Sequence, residues 1–286
     1  VTSFLPTTMT MDFDLIKSVV NAEIPKTDGA QILGFHLEGP YICHKYKGAQ
    51  NEAYIRRADF DEFCTFKNAK MITLAPEAEG AYEFIEKAVA SGCVVALGHS
   101  SATFDEADKA FTLGANSVSH LYNAMSPFHH RDTGIIGAAF MHRVYAQIIC
   151  DGLHVSKPAF LTAYKMLGAD RLTLISDSLC SAGMPDGEYD LGGQPIFLKG
   201  IECRLADGTI AGSVLKLNNA VKNVLAHTDL PVNVVFKMAS LNAAAAIGVS
   251  DRIGSLEAGK DADIIIVDDD INVKRTIKKG RTIYVA

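Results

Sequence analysis

No apolar run in this chain approaches the ~20 residues that a membrane-crossing helix needs, so no segment reads as a span. The six cysteines (Cys43, Cys64, Cys93, Cys150, Cys180, Cys203) form no C-x-x-C pair. Scattered in this way they exclude a disulfide framework and a structural zinc knuckle, and they read as thiols of a reduced, cytoplasmic protein. Positive charge is in deficit: 27 Lys and Arg stand against 33 Asp and Glu, a formal net charge of −6. That balance argues against a nucleic-acid or anionic-membrane surface. There is no Walker loop and no G-x-G-x-x-G, so nothing recommends a nucleotide, and no internal repeat or low-complexity tract is present. The start lacks a basic n-region, a signal-like core and an initiator Met. It opens on Val1-Thr-Ser-Phe-Leu-Pro6, which reads as the end of a strand, so a segment upstream is expected.

What is present is a β-strand, loop, helix rhythm through a chain of 286 residues, 48% of them hydrophobic and 21% charged. This is the composition and size of a globular protein with one large core. Strand-like runs lie near 1–5, 32–38, 71–75, 94–99, 117–121, 146–151 and 172–177, with helical patterns between them at Asp12–Ala22, Ala81–Ser91, Thr103–Leu113 and Lys157–Leu167. Such alternation predicts an α/β fold with a parallel sheet covered by helices. Seven strands are one fewer than a closed (β/α)8 TIM-like barrel requires, so the first strand is expected to be missing. From Gly187 to Ser213, turn pairs flanked by alternating residues predict a β-hairpin insertion. Helical pattern returns at Leu215–Ala226 and Val232–Ile247, followed by strands at 262–268 and 282–285. The division expected is a barrel catalytic domain over 1–250, and C-terminal strands of a small β satellite over 251–286 whose partners lie upstream of Val1.

Four polar side chains end four of these apolar runs: Glu38, His99, His120 and Asp177. A buried strand has no cheap use for a carboxylate or imidazole at its tip. A parallel barrel does, because its active site is built from the C-terminal ends of its strands. Two His, a Glu and a further Asp also suit a catalytic divalent ion, with three ligands and an open position beside a proton-transfer carboxylate. His99 and His120 are one αβ unit apart, which would put them on neighbouring strand tips. His36, two residues before Glu38 on the same face, is expected to pack or support rather than ligate. Asn123-Ala124, Arg131 and His154 follow strand ends and are candidates for holding an anion, Arg131 through its planar fork. His44, His129, His130, His142 and His227 read as surface or loop groups. Neither Ser100 nor Ser178 sits in a nucleophile elbow.

The motifs His36-Leu-Glu-Gly-Pro40, Lys47-Gly-Ala49, Gly98-His99-Ser100, Ser119-His-Leu-Tyr-Asn-Ala-Met125, Asp151-Gly-Leu-His154, Ser176-Asp177 and Ile210-Ala-Gly-Ser213 together resemble the N-acetylglucosamine-6-phosphate deacetylase family of the amidohydrolase superfamily. The tail Ile253-Gly-Ser-Leu-Glu-Ala-Gly-Lys-Asp-Ala-Asp263 is of the superfamily's type. The resemblance implies metal-dependent hydrolysis of an acetylated amino-sugar phosphate. It assigns Glu38, His99 and His120 to the metal and Asp177 to acid/base work. Ala49, Gln50, Asn123, Ala124, His154, Ile210, Ala211 and Gly212 become substrate contacts. Arg131 becomes a phosphate ligand that, in a homodimer, reaches the neighbouring active site. The metal implied is zinc first, with Fe2+ or Co2+ as alternatives. Gln50 stands where many members carry a His that helps polarise the acetyl carbonyl; its amide can donate but cannot hold a positive charge. Two rival readings stay open. One is another amide hydrolase of the superfamily, which would want a His-x-His on the first strand and a modified Lys. The other is a catalytically incomplete fragment that binds metal or sugar.

Overall fold

The computed structural model describes residues 1–286. Seven parallel strands, neighbours in chain order, form the principal sheet: β1 (Thr7–Thr8), β2 (Phe35–Glu38), β3 (Ala69–Leu74), β4 (Val94–Leu97), β5 (Ser117–Val118), β6 (Tyr145–Ile149) and β7 (Leu172–Ile175). Helices Phe13–Val20, Ala81–Ala90, Phe104–Thr112, Gly134–Met141 and Lys157–Leu167 lie in the crossovers. Their starts are capped as the sequence signals. Thr103 and Glu106 form a reciprocal capping box, and Ser156 accepts from Ala159 N with a proline in the first turn beyond it.

Alternation along the strands sorts the residues into two layers. Leu37, Ile72, Leu74, Val95, Leu97, Val118, Ile148, Leu172 and Leu174 face the helices and belong to one continuous apolar core. The other face is polar. Thr7 Oγ1 meets His36 Nδ1 at 3.3 Å, His36 Nε2 meets Thr73 Oγ1 at 2.7 Å, and Thr73 Oγ1 meets Ser119 Oγ at 2.6 Å. These contacts also fix the shape. In a flat sheet β3 and β6 would stand roughly 14 Å apart, yet Gln147 Nε2 on β6 comes within 3.8 Å of Met71 Sδ on β3. The sheet is therefore curled about a polar interior, as a barrel is.

The strand expected near 1–5 takes a different form. Ser3–Phe4 pairs with Gln31–Ile32 as a separate two-stranded piece, and the large sheet begins only at Thr7. Pro6 has no N–H to give to a ladder. Opposite it, Gly34 adopts a φ of 128°, and a Cβ there would come within 2.7 Å of Lys70 Cβ. One kinked pair of strands thus reads as two. In the order of the sheet β1 and β7 stand at the two ends.

The expected hairpin region is a four-stranded antiparallel sheet: β8 (Gly187–Leu191), β9 (Gln194–Lys199), β10 (Glu202–Leu205) and β11 (Ile210–Gly212). Its Gly192-Gly193 turn approaches Met11, where a Cβ on Gly192 would lie 2.8 Å from the sulfur. The C-terminal sheet holds β12 (Ile264–Val267), β13 (Val273–Lys278) and β14 (Arg281–Val285). Between the two expected strands the chain adds a third, the central strand β13, which pairs with both. A buried ion pair, Lys278 Nζ to Asp263 Oδ2 at 2.5 Å, with Ser3 Oγ at 3.2 Å, ties that sheet to the start of the chain.

Ile72 is wholly buried on the outward face of β3. Ile72→Ala is expected to lower the unfolding free energy by about 2–5 kcal/mol, read by urea denaturation. A loss well below that range would show that this face is not packed as described.

Candidate active site

Glu38 ends β2, and His99 and His120 follow β4 and β5. One ligand atom from each lies within 4.8 Å of the others. His99 Nε2 is 2.9 Å from Glu38 Oε1, His120 Nε2 is 3.7 Å from Glu38 Oε2, and the two Nε2 atoms are 3.1 Å apart. Asp177 follows β7 and is near enough for its charge to act on His120. His99, His120 and Asp177 all have left-handed backbones, with φ of 49°, 30° and 47°. For residues with a Cβ this conformation costs on the order of 1–3 kcal/mol each. The turns that enforce it are well bonded. After His99, Glu77 accepts from Ser100 Oγ at 2.6 Å and from Ser101 N, and Ser100 N donates to Ala124 O at 3.1 Å. After Asp177, its own carbonyl accepts from Ser213 N at 2.9 Å, beside the tip of β11.

The orientation of the two imidazoles decides what the cluster can hold. His99 Nδ1 lies 3.0 Å from Tyr46 O, and His120 Nδ1 lies 3.1 Å from Asn123 O. A carbonyl oxygen only accepts, so both Nδ1 atoms carry hydrogen and both Nε2 lone pairs point at each other and at a carboxylate. Electron pairs facing one another across 3.1 Å need a positive charge between them. A divalent cation fits, and the two-nitrogen, one-oxygen donor set is that of a catalytic zinc-type site. Without the ion, a proton takes its place. Burial pulls His120 down, but the hydrogen bond and charge of Glu38, with the charge of Asp177, outweigh it and push His120 up to about 9. Burial also pushes Glu38 up, yet the charge of His99 and hydrogen bonds from both imidazoles hold it well below its usual value. Asp177 is raised, by burial first and then by the charge of Glu38. His36 is drawn down to about 4, chiefly by burial, so it is neutral at pH 7 and supports the interior ladder.

The other expected residues sort into three groups. Ala49 is buried in the loop before the site, and a Cβ on its neighbour Gly48 would lie 3.5 Å from His99 Cε1 and 3.9 Å from Ala124 Cβ. Asn123 N donates to His120 O at 2.8 Å, so of that pair only the Ala124 amide is left without a partner in the chain. His154 follows β6 and lies within electrostatic range of Asp177; Ile210, Ala211 and Gly212 form β11 beside the Asp177 turn. Gln50 is spent differently from the expectation. Its Nε2 donates to Glu38 Oε1 at 2.6 Å, and its Oε1 accepts from Thr10 N at 2.7 Å. Arg131 is exposed in the loop after the site, 2.9 Å from His130 Nε2, with no hydrogen bond to the cluster of its own chain.

Two supporting residues escaped the reading of the sequence, Thr10 and Glu77, and Asp151 stood in a motif without a role of its own. Glu77 carried a usable signal, an acid just past the apolar run 71–75. Asp151 stood three residues before His154.

A curled parallel sheet that delivers two imidazoles and two carboxylates from its strand tips defines a metal-dependent hydrolase. The chain belongs to the amidohydrolase family, which it matches over residues 6–283. It is similar to N-acetylglucosamine-6-phosphate deacetylase of Lysinibacillus sphaericus, with 39% identity across 98% of this chain and 75% of that one. The crystal structure of N-acetylglucosamine-6-phosphate deacetylase from Thermotoga maritima superposes with a TM-score of 0.95 at 36% identity, over 100% of this chain and 80% of that one. N-acetylgalactosamine-6-phosphate deacetylase of Escherichia coli O157:H7 is 35% identical across 98% of this chain and 76% of its own length.

An imidazolium cannot ligate, so loading the ion near pH 7 must expel the proton that His120 holds up to about 9. Uptake is expected to release about one proton and to weaken as pH falls. Calorimetric titration of the metal-free protein in buffers of different ionisation enthalpy measures this; uptake with no proton release would place the ion elsewhere.

Proposed function

We propose that this chain hydrolyses the acetamide of N-acetylglucosamine 6-phosphate to glucosamine 6-phosphate and acetate, in the breakdown of amino sugars. The observation that carries the reading is the Glu38, His99, His120 cluster with Asp177 beside it, on strand tips of a chain that matches deacetylases almost end to end. Glu38, His99 Nε2 and His120 Nε2 hold the ion, assigned here as zinc, with Fe2+ and Co2+ accepted by the same donors. When bound, the ion acidifies water and polarises the acetyl carbonyl. Asp177 takes a proton from the attacking water; its raised affinity for protons suits it to keep that proton and pass it to the departing nitrogen. The C–N bond breaks, the carbonyl carbon keeps the new oxygen and leaves as acetate, and the water's second proton, given up by the new carboxylic acid, is taken by the freed amine. The Ala124 amide, Ala49, His154 and the Ile210–Gly212 strand surround the sugar. Gln50 acts on Glu38 rather than on the carbonyl.

Asp177→Asn keeps the Glu38, His99, His120 donors. It is expected to bind metal with the wild-type stoichiometry while turnover falls on the order of 10²–10⁴-fold. Acetate release measured on N-acetylglucosamine 6-phosphate, its unphosphorylated form and N-acetylgalactosamine 6-phosphate tests the substrate. The similarity to the Escherichia coli enzyme makes the galactosamine epimer the second reading. Preference for that epimer would shift the assignment to it, and equal rates without the phosphate would overturn both.

The exposed position of Arg131 supports a homodimer in which it reaches the phosphate in the neighbouring site. Arg131→Ala is expected to raise KM for the phosphorylated substrate, and mixing it with Asp177→Asn should restore activity through hybrid dimers that hold one intact site. Mixtures no more active than the sum of the two variants would refute a shared site. We further assign 1–250 to the catalytic domain and 251–286 to a satellite, and place the protein in the cytoplasm, in keeping with its six free thiols.

A further inference from the structure

One more pair of buried ionisable side chains stands at a strand tip. Past β6 the chain runs Cys150-Asp151-Gly152-Leu153-His154, and the Asp151 and His154 side chains are 6% and 5% exposed. Asp151 Oδ1 accepts from Leu153 N and from His154 N, each at 2.8 Å, while Oδ2 lies 2.6 Å from His154 Nδ1. Gly152, with a φ of 84°, lets the backbone turn tightly enough for one carboxylate to meet all three donors. Burial pushes the Asp151 carboxyl up, but the hydrogen bonds from His154 outweigh it and hold the group below its usual value. An ionised carboxylate only accepts, so Nδ1 carries the hydrogen. His154 Nε2 makes no hydrogen bond within the chain, and His154 lies within electrostatic range of Asp177.

We propose that Asp151 is a positioning residue: it locks His154 in the tautomer protonated at Nδ1, so that Nε2 is the atom presented to the amino-sugar phosphate beside Asp177. The inference rests on the reading of His154 as a substrate contact. It gives the buried pair a task that neither packing nor charge balance requires, since an apolar pair of similar volume would fill the same space without the cost of burying two polar groups.

The geometry around Oδ1 makes the proposal testable with one atom changed. In Asp151→Asn the two backbone N–H donors favour the amide oxygen in the place of Oδ1, which turns the NH2 toward Nδ1. Nδ1 must then accept, and the ring proton moves to Nε2. Nitrogen NMR of the metal-loaded protein labelled in its histidines reads this directly, with His154→Gln identifying the signals by their loss. The wild type is expected to show His154 protonated at Nδ1, and Asp151→Asn to show it protonated at Nε2. For kcat/KM on N-acetylglucosamine 6-phosphate, Asp151→Asn is expected to lose on the order of 10–100-fold, as when a carboxylate behind a working imidazole is removed. It should match His154→Gln, and the double variant should be no worse than either. A wild-type ring protonated at Nε2 would overturn the proposal whether or not the variant folds, and so would losses that multiply in the double variant. If His154→Gln instead keeps wild-type kcat/KM, the substrate-contact reading fails, and the NMR result still reports separately whether Asp151 sets the tautomer.

Discussion

Two backbone carbonyls govern the chemistry of this site. By accepting from the Nδ1 hydrogens of His99 and His120, Tyr46 and Asn123 oblige both rings to present Nε2 lone pairs toward Glu38. Had either ring been free to turn, an Nε2 hydrogen would satisfy the carboxylate and the trio would be held by hydrogen bonds alone. With both fixed, the three donors are in conflict until a cation enters. The loops that carry the two carbonyls are therefore as much a part of the candidate metal site as its three donors are. This accounts for the effort spent on holding them: the bond from Cys43 N to His99 O at 2.8 Å, the Ser100–Ala124 link, and Glu77 gripping Ser100 and Ser101.

The same economy runs below the site. Facing the barrel interior, where aliphatic layers would give a stiffer core, the strands carry Thr7, His36, Thr73, Ser119 and Gln147. His36, kept neutral by burial, has one nitrogen against Thr7 and the other against Thr73, joining three strands at the level below Glu38. Polar groups bonded in a dry interior are directional, so this ladder fixes the relative height of the strands whose tips must converge. The apolar outer layer supplies the stability and leaves the inner layer free for register.

How much of this was legible in the sequence follows from the range of each interaction. Strands β3, β4, β6 and β7 and most of the crossover helices appear where the apolar runs place them, because period and capping are local. Helix Gly134–Met141 was not seen, since it is buried around nearly its whole circumference and so lacks an amphipathic stripe. The helical stretch 232–247 is broken at Ser240, whose φ of −139° and ψ of −78° lie outside the helix. Strand β13 hid behind Lys274, Arg275 and Lys278, and Lys278 is buried only because Asp263 neutralises it. The quartet itself was legible, as polar residues where apolar runs end. Its second layer was not: Tyr46 to His99 and Thr10 to Gln50 are contacts between loops 53 and 40 residues apart, for which no local pattern exists.

Gln50 shows what such a distant contact decides. An amide offers a donor and an acceptor on one rigid plane, and here the donor goes to Glu38 while the acceptor goes to the Thr10 amide. Thr10 Oγ1 also reaches Glu38 O at 3.3 Å, and Gly39 must be glycine because a Cβ would lie 2.1 Å from that hydroxyl. The segment just after β1 is thus coupled to Glu38 through Thr10 and Gln50, although β1 contributes no donor to the cluster. A change that moves Thr10 therefore acts on Glu38 both through Gln50 and through the Thr10 hydroxyl.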